Sequence, residues 1–177
     1  MIAQIGRALT RPSLDEFERA RAIVHLRDVI LITLLIGGWT GAIGGAINML
    51  AIGDSIVEAF TLAIITPFRL LFALVVVNAF LLLVARALGG RGDFSTQMVL
   101  IALVFIPLNA LASLLAAIPT FGAMLAIVVL IYNSVVSVLA LRAAHGGRAW
   151  RVSNIALVAA TFISGIIGWI AISSISQ

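Results

Sequence analysis

Few side chains in this sequence are equipped to do chemistry. It has no cysteine, so disulfides, thiolate metal sites and cysteine nucleophiles are excluded. Its two histidines, His25 and His145, belong to no cluster with metal-ligand spacing. The stretches Leu88-Gly89-Gly90-Arg91-Gly92 and Arg91-Gly92-Asp93-Phe94 are glycine-rich. Neither lies in the strand-to-helix setting that a phosphate-binding loop needs. No nucleophile has a base beside it in sequence. The expectation is a chain with no catalytic residue, no metal ligand and no cofactor.

What the apolar stretches do contain is amides. Asn48, Asn78, Asn109 and Asn133 place one asparagine in each of the first four, and Asn78, Asn109 and Asn133 fall near mid-depth. Such a set either lines a polar cavity or ties helices together, at about 0.6 kcal/mol per hydrogen bond in lipid. No ionisable group falls near a midplane, where proton and ion paths place them. Arg69 comes nearest, with Glu58 as its candidate ion-pair partner.

The elements that carry these groups are dictated by the solvent. Apolar residues make up 63% of the 177 and charged residues 10%, with a mean hydropathy of +1.23. Soluble domains run near 45–50% and about 25%. So few charges cannot build a water-facing shell, and the medium is lipid. The net charge of +4 does not indicate a nucleic-acid partner, because the arginines lie in short segments between apolar runs.

Residues 1–28 read as a cytoplasmic segment. Within it Ser13, with Glu16 three residues on, starts an amphipathic helix through Arg27. Residues 29–177 read as a five-span domain, with spans near 29–53, 67–88, 97–118, 121–141 and 153–174. A helix running from Ile56 to Val84 is about 43 Å long, so Pro67 is expected to break it. Residues 55–66 then form an interfacial or re-entrant helix. Pro119 to Gly122 is the hinge between the third and fourth spans. Gly37, Gly41 and Gly45 make a flat strip at i+4 spacing, and Ala156, Ala160, Ser164 and Gly168 a second small-residue stripe. Both are candidate helix-packing interfaces, with each other or with another subunit. The fold class is therefore all-α integral membrane: a five-helix transmembrane bundle with a short amphipathic N-terminal helix and an interfacial helix before the second span.

Orientation follows from the arginines. With the N-terminus inside, Arg7, Arg11, Arg19, Arg21, Arg27, Arg86, Arg91, Arg142, Arg148 and Arg151 all lie in inner segments. Only Arg69 lies outside, with Asp54 and Glu58. The positive-inside rule selects this topology, which leaves the C-terminus outside. The expected location is the cytoplasmic membrane of a bacterium.

The stretch from Leu88 to Val152 resembles the bacterial branch of the Yip domain family, named for Ypt/Rab-interacting proteins. The resemblance is carried by the Gly89-Gly90 turn with Phe94, by Phe105-Ile106-Pro107 and by Ile118-Pro119 with Gly122. Ile131-Tyr132 and the run Ala140 to His145 complete it. It implies five spans and a cytoplasmic N-terminal segment. For eukaryotic members it implies binding of Rab-type GTPases and a place in vesicle traffic. Here Ile101 to Pro107 stands where those members carry Tyr-Gly-Tyr-Ser before the proline. The function expected is a non-catalytic scaffold, adaptor or accessory subunit working through helix packing. Its partners are the lipid bilayer and other membrane subunits or a second copy. The alternative is a small-molecule or lipid permease with an asparagine-lined cavity.

Overall fold

A computed structural model describes the backbone of residues 2–116, 118 and 121–173, and the side chains of these except 2, 51, 52 and 167–173. Seven α-helices follow in order: α1 (Ile2–Thr10), α2 (Leu14–Ile23), α3 (Leu26–Ile52), α4 (Ile56–Ala87), α5 (Phe94–Ala116), α6 (Gly122–His145) and α7 (Asn154–Ser173). A 3-10 turn, Gly147–Ala149, joins α6 toward α7. Four helices, α3 to α6, are long and apolar enough to cross a membrane. The 20 residues of α7 add about 30 Å of apolar helix. The chain is a multi-pass membrane protein of all-α class.

The bundle is built around α5, which packs against α3, α4 and α6 as well as α1 and α2. Leu100, Ile101, Val104 and Ile106 on α5 are fully enclosed, together with Leu74 and Leu81 of α4 and Leu141 of α6. The outside is apolar too. Trp39 is 71% exposed, Phe60 70%, Met124 70% and Ile155 82%. Exposed apolar residues in such density are foreign to soluble monomers and mark contact with hydrocarbon.

The sequence expectation fails at Pro67. No break or separate interfacial helix exists there; α4 runs unbroken for 32 residues with Pro67 inside it. Two physical facts account for this. In lipid an interrupted helix exposes more unpaired backbone than the single amide proline lacks, so membrane helices tolerate proline. The turn is also held from outside: a Cβ on Gly37 would meet the Cα of Pro67 at 2.5 Å. The helix is about 48 Å long, and tilt or projection beyond the core absorbs the excess. Pro107 sits inside α5 in the same way.

The glycine strip is internal. A Cβ on Gly41 would meet the carbonyl oxygen of Leu62, and one on Gly45 would lie 2.7 Å from that of Ala59. The strip therefore seats α3 against the first half of α4 and not against α7. On α7, Ala160 and Ser164 are buried while Ala156 is exposed. Thr161 Oγ1 donates to the Ser134 carbonyl of α6 at 3.0 Å. The surroundings of Gly168 lie outside the described residues, as do Pro119 and Thr120 of the expected hinge.

The N-terminal segment also differs from expectation. It holds two helices, not one. The second ends at Ile23, and the first span begins at Leu26 instead of Val29. Asp28 explains the earlier start, since its carboxylate accepts from the N–H of His25 at 3.1 Å and caps the new helix. Ser13 caps α2 as expected, its hydroxyl accepting from Glu16 N–H at 3.2 Å, while the Glu16 carboxylate turns to Arg7 and Arg19 and does not close the capping box. The apolar face of α2 rests on the bundle, with Phe17 and Ala20 buried.

Candidate functional site

The polar groups that sequence spacing could not connect meet where α4, α5 and α6 join the loop after α4. Gly90 and Gly92 let that loop close onto the end of α6. A Cβ on Gly90 would lie 2.7 Å from His145 Nδ1, and one on Gly92 would meet the Ala144 carbonyl oxygen. With the side chain absent, Gly92 N–H donates to His145 Nδ1 at 2.9 Å. An accepting Nδ1 leaves the proton of a neutral imidazole on Nε2. Nε2 then donates to Gln97 Oε1 at 2.6 Å.

Gln97 passes the chain on. Its Nε2 donates to the Asn78 carbonyl at 2.9 Å and to Asn78 Oδ1 at 3.1 Å. Asn78 Nδ2 in turn donates to the Leu74 carbonyl of its own helix at 2.9 Å. Gln97 and Asn78 are fully buried and His145 nearly so. The indole of Trp150 lies 5.3 Å from the imidazole, tilted at 39°, and its Nε1 donates to the Leu88 carbonyl at 3.1 Å. Both loops at this end are thus tied to one imidazole.

This arrangement defines its own chemistry. Both imidazole nitrogens are engaged, so neither is free to take a proton from a substrate. Each side chain in the network is hydrogen-bonded, and such a buried polar network stiffens a core. It is a tie between three helices.

The other sequence candidates fall elsewhere. Asn109 Nδ2 donates to the Phe105 carbonyl one turn back, at 2.8 Å. Asn133 Oδ1 accepts from Ser137 Oγ at 3.3 Å. The three mid-depth asparagines therefore have separate partners and do not form one cluster. The expected Glu58–Arg69 pair is absent, because the unbroken α4 sets the two eleven residues apart, about 16 Å along its axis. Glu58 instead caps its own helix, accepting from Ser55 N–H at 2.6 Å. Arg69 Nε is buried without a hydrogen-bond partner among the described residues.

Sequence reading missed Gln97 and His145 as partners because 48 residues separate them. The available signal was Gly90 and Gly92, whose smallness suits a close approach to another group.

The helices α1 and α2 are fastened along α6, from the turn that follows it back to its middle. Arg148 reaches Asp15 at 2.9 Å, and the Tyr132 hydroxyl donates to the Leu9 carbonyl at 2.6 Å. Arg7 and Arg19 both pair with Glu16, at 3.3 and 2.8 Å.

Residues 7–172, nearly the whole chain, match the Yip1 domain. The chain belongs to the Yip1 domain family. No curated protein and no solved structure matches the chain.

Proposed function

We propose that this Yip1-domain protein is a non-catalytic scaffold or adaptor in a bacterial cytoplasmic membrane, with its N-terminus inside and its C-terminus outside. The observation that carries this reading is the platform formed by α1 and α2. Their apolar faces are committed to α5 and α6, through Phe17 and Ala20, and their ends are pinned by Arg148 and Tyr132. The exposed side, with Asp15, Glu18, Arg19 and Arg21, is charged and held in a fixed place. A rigid charged surface beside a bilayer offers a partner complementary electrostatics without an ordering cost. The imidazole–amide tie holds the helices beneath it.

The permease reading needs Asn78, Asn109 and Asn133 to face one path. Their separate hydrogen bonds favour the scaffold over it. Photo-crosslinkers placed at Glu18 and Arg19 in intact cells test the proposal. A discrete adduct with another membrane subunit, or with a second copy, is expected there, and lipid adducts alone at Leu50. A lone monomer after extraction with native lipid, with no adduct at either platform position, overturns it.

A further inference from the structure

A cleft of about 210 Å³ opens where α2 ends, α3 begins and α5 begins. Its polar lining comes from three segments: Arg21 from α2, His25 from the link into α3, and Ser95 and Thr96 from the first turn of α5. We propose that this cleft binds an anionic phosphate group, one carried by a lipid headgroup or free in solution.

The chemistry of the lining selects the ligand. Arg21 carries a permanent charge and enters no described ion pair. A guanidinium offers a planar fork of donors suited to phosphate oxygens. The imidazole of His25 and the hydroxyl of Ser95 add donors from the other walls. No carboxylate lines the cleft. The two acids closest in sequence are already occupied. Asp93 accepts from Thr96 N–H at 2.9 Å, and Asp28 accepts from His25 N–H and pairs with Arg27 at 3.7 Å.

Position favours a lipid as the source. Two membrane helices start at the cleft, which sets it at headgroup level. Leu26 belongs to the lining, and Ile30 lies one turn further along α3 on the same face. Both are 37% exposed. Together they form an apolar track leading from the cleft into the hydrocarbon, where an acyl chain would run.

Native mass spectrometry of the full chain in mild detergent, titrated with phosphatidylglycerol and with phosphatidylcholine, tests this. One phosphatidylglycerol should be retained at least tenfold more tightly than phosphatidylcholine. Arg21→Gln should abolish that tenfold preference. Ser95→Ala should weaken retention severalfold, while Arg11→Gln, which removes an equal charge outside the cleft, should change it less than twofold. Arg21 makes no described bond to the fold, so an unchanged melting temperature for Arg21→Gln separates lost binding from lost folding. Displacement of the lipid by millimolar inorganic phosphate would identify soluble phosphate as the ligand, and resistance to it would identify the headgroup. Equal losses in Arg21→Gln and Arg11→Gln, or no preference for phosphatidylglycerol, would overturn the site.

Discussion

At the scale of single residues, the most consequential group is His145, whose two nitrogens join a loop glycine to a glutamine on α5. His145→Phe fills the same space but leaves Gly92 N–H and Gln97 Oε1 without partners. An unpaired buried polar group costs about 1–3 kcal/mol. A drop in melting temperature of the detergent-solubilised chain should follow, and Gln97→Leu should cost less once His145 is gone than alone, because only its bonds to Asn78 then remain to be lost. Full additivity of the two losses would show that the groups do not act as a unit. Gly92→Ala should be at least as damaging, because its Cβ runs into the Ala144 carbonyl. Asp93, which caps α5, gives the chain a pH dependence. Its hydrogen bonds to the Thr96 side chain and amide hold its carboxyl below the ordinary value of 3.8. A depressed carboxylate stabilises the fold above its unfolded pKa and ceases to do so as pH falls through the folded value. Wild type should therefore lose stability below about pH 4, and Asp93→Asn should lack that component while being weaker at neutral pH. Melting curves from pH 3 to pH 7 read both.

At the scale of elements, the contact that decides the architecture is α3 on α4. The sequence made the glycine strip legible because three glycines one turn apart have few other uses in lipid. It could not say which helix the strip meets, since that depends on long-range packing. The same packing overrode the local signal at Pro67. Read alone, proline in a helix interior costs about 3 kcal/mol and predicts a break. In place, α3 lies so close over Pro67 and Ala59 that the continuous helix wins. Gly41→Leu should separate the two helices, and Gly41→Ala should already lower the melting temperature, since a single Cβ meets the Leu62 carbonyl and Ala63 Cα. Gly38→Ala, which meets nothing within 4 Å, should be tolerated. Equal tolerance of alanine at both positions would remove the strip from the packing account. The capping signals at Ser13 and Ser55 were legible for the opposite reason, because a cap involves residues only three apart.

At the scale of the whole molecule, the membrane class was readable from composition, because burial in lipid removes any need for charged surface. The location of the buried tie was not, since Gly92, Gln97 and His145 share no local pattern. Arginine placement still makes a directional prediction. The turn at 53–55 lies opposite the loops at 88–93 and 146–153, and ten of the eleven arginines belong to the N-terminal and loop side. The chain contains no cysteine, so single cysteines can be introduced without background. The decisive measurement is labelling of Asp54→Cys, Arg91→Cys and Arg151→Cys by an impermeant maleimide in intact cells and after permeabilisation. Position 54 should label from outside, and positions 91 and 151 only once the membrane is opened. Labelling of 91 or 151 in intact cells, or of all three alike, would contradict the account.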